Sequence, residues 1–261
     1  AREAVEDLAR DGVIYAELRW APEQHQGKGL SLSEAVECVR EGIRLGQAAA
    51  TREGPPIEVK QILTARRETH RSLEIAQLAV AERDRGVVGF DIAGAEHGYP
   101  ARDHLAAFEF LAQHEMPATV HAGEAFGLAS IEQAVDMCGA KRIGHGVRIV
   151  EDIDLRGSEP RLGPLAEQLR AAQLCFELCP SSNVHTGAIG PNAQIADHPF
   201  GLLDSCGFNV TVNCDNRLMS RTTLTREFAL LVDAFAYTMA DIERFTMNAI
   251  ASAFCDADER D

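Results

Sequence analysis

Three short segments of this chain place residues that could do chemistry at the end of an apolar run. They read His121-Ala-Gly-Glu124, Gly144-His145-Gly146 and Asn213-Cys214-Asp215-Asn216. Imidazole nitrogens and carboxylate oxygens are common zinc ligands, and a nearby Glu or His can transfer a proton. These residue types indicate a water molecule activated by a metal, with acid and base partners beside it.

Each segment alone also has a structural interpretation. Glu124 could be a solvated residue in a surface turn, and His145 could be a core histidine bonded to a neighbouring strand. Asp215 and Asn216 could form an Asx turn. The coincidence of three such segments at three strand ends favours a metal site, with His121 and Asp215 as candidate ligands.

The elements that must position these residues are short β-type runs that alternate with amphipathic helical patterns. A fourth run ends on Asp91-Ile-Ala-Gly94. This alternation predicts a mainly parallel sheet with helices outside it. The predicted strands are Val13–Leu18, Ile57–Leu63, Val87–Asp91, Ala118–His121, Arg142–His145, Leu174–Leu178 and Asn209–Asn213.

Two parallel α/β architectures compete. A doubly wound sheet usually carries a glycine-rich phosphate turn, and no G-x-G-x-x-G or Walker-type run follows a strand here. A (β/α)8 TIM barrel brings all strand ends to one mouth, which explains why each of them carries a chemically capable group. The barrel is the predicted fold, although eight strands are required and only seven are found.

The strands and helices are expected to form one domain, residues 1–261. Two helices after the last strand, from about residue 222, are more than a minimal barrel requires. Thr238-Met-Ala-Asp241 has the spacing of a helix N-cap with an acidic partner. The last two helices are expected to pack across the barrel wall. The predicted helices are an amphipathic one that includes residues 1–8, Ser33–Thr51, Thr69–Arg85, His104–His114, Ile131–Cys138, Leu162–Ala172, His198–Ser205, Thr222–Tyr237 and a last one through about Phe254.

Composition excludes several classes of partner. The formal net charge of −15 over 261 residues argues against binding to a nucleic-acid backbone. No apolar run is long enough to cross a bilayer. The seven cysteines form no CxxC pair and fit a reducing, cytoplasmic compartment.

The remaining polar residues are interpreted as structural. Glu17 and Arg19 could pair with each other or line the mouth, and Trp20 could anchor a loop. The Ser and Asn residues in 177–183 could fix a loop or touch a ligand. Seven histidines are expected at the surface or in loops: His25, His70, His97, His104, His114, His185 and His198.

Five strings, in order along the chain, resemble adenosine deaminases within the metal-dependent amidohydrolase superfamily. Together they are specific, and their form is similar to the actinobacterial branch. The strings are Gly89-Phe-Asp-Ile-Ala-Gly-Ala-Glu96, His121-Ala-Gly-Glu-Ala-Phe-Gly127, Arg142-Ile-Gly-His-Gly-Val147, Glu177-Leu-Cys-Pro-Ser-Ser-Asn183 and the segment 210–220.

The resemblance implies a zinc-dependent hydrolase that converts adenosine and 2′-deoxyadenosine to inosine and ammonia in purine salvage. It implies zinc bound by His121 and Asp215, together with two histidines of a His-x-His on the first strand. Glu124 would donate a proton to purine N1. His145 would orient and deprotonate the zinc-bound water.

The resemblance also implies the purine contacts. Gly94 would accommodate the base through its backbone, and Asn216 would face purine N7. The position of Asn216 is usually Asp in the wider family, and an amide can donate to N7 without a shared proton. Cys214 stands where Thr is usual.

A family member should begin with a strand that carries His-x-His, and this chain contains no His-x-His. The first strand is therefore expected to be absent, and the chain is expected to bind zinc weakly and to have little activity. Two alternatives stay open: a deaminase of another 6-aminopurine, such as adenine or a modified adenosine, and a non-catalytic nucleoside-binding barrel. The oligomeric state is not indicated.

Overall fold

A computed structural model describes residues 1–255, except for the side chain of Glu53. Seven strands run parallel, at the positions predicted to within three residues. They are β1 (Tyr15–Trp20), β2 (Glu58–Arg66), β3 (Val87–Ala93), β4 (Thr119–Ala122), β5 (Arg142–His145), β6 (Cys175–Leu178) and β7 (Val210–Val212).

The strands follow one another in space in the order in which they follow in the chain. Parallel ladders join β1 to β2 and β2 to β3, and a second set joins β4 to β5, β6 and β7. One parallel bridge between Phe90 and Ala118 connects the two sets. Among residues 1–255 no ladder pairs β1 with β7. The arrangement is a (β/α) barrel wall of seven strands, with β1 and β7 at its two edges.

The helices surround this wall. Two of them, α7 and α9, and a short antiparallel ladder between Ile153–Asp154 and Arg161–Leu162 were not predicted. The helices are α1 (Arg2–Arg10), α2 (Leu32–Glu53), α3 (Ser72–Ala81), α4 (Leu105–Gln113), α5 (Leu128–Glu132), α6 (Pro164–Ala171), α7 (Pro180–His185), α8 (Phe200–Ser205), α9 (Arg217–Ser220), α10 (Leu224–Phe235) and α11 (Met239–Ser252).

Local sequence explains where several elements begin and end. Ser31 and Glu34 form a capping box at the start of α2, because each side chain satisfies a free backbone N–H of the other. The predicted helix Thr69–Arg85 is shorter than expected, since α3 ends at Ala81 and a 3₁₀ turn follows. The predicted helix from Ile131 starts earlier, at α5, and continues as a π-helical turn.

The two C-terminal helices pack on the barrel as predicted. Thr238 and Asp241 make the expected capping box of α11. The Asn248 amide donates to the carbonyl oxygen of Val210 at 3.1 Å, which ties α11 to β7. Residues 256–261 of the predicted domain lie outside the described residues.

Four charged side chains lie inside the barrel below the strand ends, and we call Glu17, Arg19, Arg142 and Glu177 the floor network. Arg19 Nη1 is 2.8 Å from Glu177 Oε2, and Arg142 Nε is 2.6 Å from Glu177 Oε1. Arg142 Nη2 is 2.7 Å from Glu17 Oε2. Glu17 and Arg19 therefore pair with other strands and not with each other.

The segment after α11 contacts two members of the floor network. The backbone N–H of Phe254 donates to Glu17 Oε1 at 2.6 Å, and the Arg142 guanidinium lies 3.6 Å from the centre of the Phe254 ring. Burial opposes charge on Glu177, but Arg142 and Arg19 outweigh it and lower the pKa of Glu177 to about 2. These residues are a charged part of the protein interior that is paired throughout.

Apolar side chains fill the space between the strands and the helices. Phe90, Phe176 and Ile143 are fully buried there. No disulfide joins two cysteines within the described residues. No helix within the described part of the chain is long and apolar enough to cross a membrane.

Candidate active site

The carboxyl ends of the strands bring the predicted site residues to one mouth of the barrel. His121 is the third residue of β4, His145 is the last residue of β5, and Asp215 follows β7. Glu124 lies in the loop after β4. We call His121, Glu124, His145 and Asp215 the mouth cluster.

His121 is oriented by a buried carboxylate on the neighbouring strand. Asp91 Oδ1 accepts the backbone N–H of His121 at 3.2 Å, and Asp91 Oδ2 is 2.8 Å from His121 Nδ1. Neither of these two close side-chain atoms makes an aligned hydrogen bond. A carboxylate on one ring nitrogen is the usual support of a metal-ligating histidine, whose other nitrogen faces the metal.

His145 occupies a strained position between two glycines. Its φ of 64° is left-handed, a conformation that costs a non-glycine residue of order 1–3 kcal/mol. The ring is 5.0 Å from the His121 ring, and a Cβ on Gly144 would lie 3.2 Å from the His121 Cα. The absence of a side chain at Gly144 therefore permits the close approach of the two imidazoles.

Glu124 faces His145 across the mouth. Its Oε2 atom is 3.7 Å from His145 Nε2, which is beyond hydrogen-bond distance. Burial lowers the pKa of His145 to about 4, with Glu124 acting against this shift. The imidazole is therefore neutral at neutral pH.

The loop that carries Glu124 is held by a residue that sequence reasoning did not select, Glu96. Its carboxylate accepts four consecutive backbone N–H groups, from Gly123 to Phe126, at 2.5 to 3.1 Å. Glu96 is buried. Charge-assisted hydrogen bonds of this kind are about twice as strong as neutral ones, so Glu96 fixes the path of the loop.

Asp215 interacts electrostatically with the two histidines of the mouth cluster. Burial opposes its ionisation, but His145, the Ser182 hydroxyl and His121 together lower the pKa of Asp215. Ser182 Oγ donates to Asp215 Oδ2 at 2.7 Å. The Asn216 amide donates to Asp215 Oδ1 at 3.3 Å, and Asn216 is exposed at the mouth.

Gly94 follows β3 at the same end of the barrel. Its φ is 112°, and a Cβ there would collide with the Glu68 carboxylate. Glu68 also accepts the backbone N–H of Ala95 at 2.7 Å. Only glycine fits this position without strain, which leaves the backbone of Gly94 exposed at the mouth.

The donor chemistry of the mouth suits zinc, but the number of ligands does not complete a site. His121 offers an imidazole nitrogen and Asp215 a carboxylate. Within residues 1–255, no group of three or more His, Cys, Asp or Glu side chains is arranged to hold a metal ion. A catalytic zinc usually takes three or more protein ligands, so these two residues would supply part of such a site.

The model of the family described as adenosine deaminase matches residues 1–261. The chain belongs to the adenosine deaminase family. It is 56% identical to the adenosine deaminase of Mycolicibacterium gilvum over 261 residues, which are all of this chain and 71% of that protein. The actinobacterial resemblance is thus confirmed.

Solved structures of the superfamily have the same fold. The adenine deaminase of Arthrobacter aurescens is 25% identical, with a TM-score of 0.84 over 99% of this chain and 74% of that one. The N6-methyl-AMP deaminase of Arabidopsis thaliana is 26% identical, with a TM-score of 0.85 over 99% and 73%. These similarities confirm the predicted TIM-barrel class.

Two histidines expected at the surface are buried instead. His104 is 2% exposed and its Nδ1 is 2.9 Å from Ser72 Oγ, while His198 is 3% exposed beside Asn183. Both have hydrogen-bond partners that offset their burial. The other five are exposed as predicted, including His185.

Proposed function

We propose that the protein catalyses the hydrolytic deamination of adenosine and 2′-deoxyadenosine to inosine and ammonia. The observation that carries this proposal is the mouth cluster, in which a carboxyl group and a neutral imidazole face each other 3.7 Å apart. Membership of the adenosine deaminase family and 56% identity to one such enzyme support the substrate class.

In this proposal Glu124 and His145 act on opposite sides of the reacting carbon. The Glu124 carboxyl donates a proton to purine N1, which makes C6 electrophilic. His145 Nε2 faces the water that adds to C6. The C6–N bond then breaks. One proton of the added water passes to the 6-amino group, which leaves as ammonia, and the other returns to Glu124, so the added oxygen becomes the C6 carbonyl.

Two further residues would hold the purine. Gly94 presents bare backbone at the mouth because no side chain fits there. Asn216 lies at the entrance and would donate its amide to purine N7. The Asn216 amide already reaches Asp215, so this contact would tie the base to the metal-ligand side of the mouth.

His121 and Asp215 would provide two zinc ligands. A zinc ion bound there would lower the pKa of water so that hydroxide is available at neutral pH. Asp91 behind His121 and Ser182 behind Asp215 would fix the two ligands in place.

We also propose a single closed barrel in the complete protein. The edges of β1 and β7 have no ladder partner among residues 1–255, and one parallel strand between them would complete eight. A His-x-His on that strand would supply the remaining zinc ligands, as the resemblance implies. Seven cysteines without a disulfide among the described residues favour a reducing, cytoplasmic location.

Ultraviolet spectra test the substrate. Protein expressed from its natural start should convert adenosine and 2′-deoxyadenosine, with adenine and N6-methyl-AMP converted at least about 100-fold more slowly, a margin within the reach of polar recognition. The last two compounds are the alternatives because proteins at 25% and 26% identity are named for them. Faster turnover of either would assign the protein to that alternative.

Zinc content tests the role of the mouth against a non-catalytic barrel. Protein from its natural start should hold one zinc per chain, and His121→Ala should lose both zinc and turnover. The matched control is His114→Ala, which removes an exposed histidine at the C-terminal end of α4. Stoichiometric zinc without turnover of any 6-aminopurine would favour the nucleoside-binding alternative.

A further inference from the structure

A line of three buried polar side chains runs from the mouth into the protein. Asn183 Nδ2 is 3.0 Å from His145 Nδ1, and Asn183 Oδ1 is 3.1 Å from His198 Nε2. The exposed fractions are 1% for His145, 0% for Asn183 and 3% for His198. Because solvent does not reach these atoms, each one must be satisfied by its neighbour in the line.

The inner end of the line has a fixed direction. The backbone N–H of Phe200, at the start of α8, donates to His198 Nδ1 at 3.0 Å. A backbone N–H can only donate, so Nδ1 is the acceptor of this ring. Neutral His198 therefore carries its proton on Nε2 and donates it to Asn183 Oδ1.

A second backbone group fixes the amide of Asn183. The N–H of Cys179 donates to Asn183 Oδ1 at 3.3 Å, on the same oxygen that His198 reaches. Two donors on one atom identify it as the oxygen and not the nitrogen. The NH2 group of Asn183 must then face His145, and it donates to His145 Nδ1.

We infer that Asn183 and His198 are positioning residues that hold neutral His145 in the tautomer with its proton on Nε2. That nitrogen is the one 3.7 Å from Glu124 Oε2. The direction of every bond follows from two backbone N–H donors, of Phe200 and Cys179, that lie outside the mouth.

This inference rests on the proposed function for its catalytic meaning and changes one expectation from the resemblance. In this tautomer His145 presents an N–H, not a lone pair, to the attacking oxygen. It would therefore orient that oxygen and stabilise negative charge on it by donating a hydrogen bond. Accepting a proton at Nε2 would require the opposite tautomer, and its Nδ1–H would point at the Asn183 NH2 group.

Nitrogen NMR of protein labelled at histidine tests the tautomer without any turnover. His145 in the wild-type protein should carry its proton on Nε2. Asn183→Asp replaces the NH2 donor with an acceptor, so His145 should then carry a proton on Nδ1. A wild-type spectrum with the proton of His145 on Nδ1 would overturn the inference, whether or not the protein deaminates adenosine.

Kinetics test the consequence in protein expressed from its natural start. Asn183→Asp should lower kcat on the order of 100-fold or more, with KM for adenosine changed only a few-fold, as for other wrong-tautomer variants. His198→Phe keeps the Cys179 bond and should lower kcat less, about 3- to 10-fold, since one of two donors remains. An unchanged kcat in a folded Asn183→Asp protein would overturn the positioning role.

Asn248→Asp is the matched control. It is the same substitution in a part-buried amide, which donates to the Val210 carbonyl and has no contact with the line. We expect lower stability, an unchanged His145 tautomer and kcat within about twofold of wild type. An equal fall in kcat for this control and for Asn183→Asp would show that the effect is not specific and would refute the inference.

Discussion

The floor network and the mouth cluster both place charged or titratable side chains inside the same barrel, but they are paired differently. In the floor network every charge has an opposite charge at 2.6 to 2.8 Å. In the mouth cluster Glu124 stays 3.7 Å from His145. One buried atom without an aligned hydrogen bond occurs in each region, His121 Nδ1 in the mouth and Arg142 Nε in the floor, so the difference lies in the ion pairs.

This difference distinguishes buried charged residues that stabilise the fold from those that act in the proposed reaction. Burial of charge costs several kcal/mol per ion, and the floor network offsets that cost by complete pairing. The mouth cluster leaves groups free to bind something else. The mouth, unlike the floor, leaves the Glu124 carboxylate without an ionic partner within hydrogen-bond distance, whereas burial and shifted pKa values occur in both regions.

The largest expected effect is the loss of activity from a change in the mouth. Glu124→Gln keeps the shape of the side chain and removes the carboxyl group that would donate a proton to purine N1. The value of kcat should therefore fall about 10²–10⁴-fold. The free energy of unfolding should change by less than about 0.5 kcal/mol, because Glu124 has no close ionic partner. Steady-state kinetics and urea unfolding measure the two quantities, and a large loss of stability would erase the distinction between the regions.

A substitution in the floor network should lower the stability of the protein. Glu177→Gln leaves Arg19 and Arg142 each without one ionic partner, and we expect the free energy of unfolding to fall by about 3 kcal/mol. Urea unfolding measures it. The control Glu167→Gln breaks an exposed pair with Arg170 and should cost under about 1 kcal/mol. Equal costs for the two variants would contradict a structural role for the floor.

A smaller effect is expected from the support of the mouth. Glu96→Gln replaces one of the oxygens that accept the loop N–H groups with a donor, so the loop should loosen. We expect kcat to fall about 10- to 100-fold through misplacement of Glu124. Asp152→Asn is the control, because Asp152 also accepts a backbone N–H, that of Ala166 in α6, and not one from the loop that carries Glu124. If both variants kept wild-type kcat, Glu96 would have no role in placing the loop.

The smallest expected effect is a dependence of stability on pH. Burial lowers the pKa of His198 to about 3, against an ordinary value of 6.5, so the unfolded chain binds more protons between these values. Stability should be complete above about pH 6.5 and fall with decreasing pH, by up to about 1.4 kcal/mol per pH unit from this residue. Urea unfolding from pH 7 to pH 5 should show a shallower fall for His198→Phe. Parallel curves for the two proteins would exclude His198 as a cause.

The strands and the mouth cluster could be predicted because their signal is local. Apolar runs that end on His121, His145 or Asp215 define both the strand and the place of the side chain in one stretch of sequence. Pro180 could also have indicated α7, since proline favours the first turn of a helix.

The supports of the mouth could not be predicted in this way. Glu96 meets a loop that begins 27 residues later, and Asn183 meets His145 across 38 residues. His198 begins the predicted helix His198–Ser205, and nothing in that stretch of sequence shows that it will meet Asn183 of α7. These contacts depend on how elements lie in three dimensions, and no local pattern encodes them.

The bond between Phe254 and Glu17 has a consequence for how the protein is made. It spans 237 residues and joins one of the first strands to a segment beyond the last helix. During synthesis β1 therefore waits for this partner until residue 254 has left the ribosome. Such distant contacts slow folding, and they make the emerging chain dependent on protection from aggregation until Phe254 arrives.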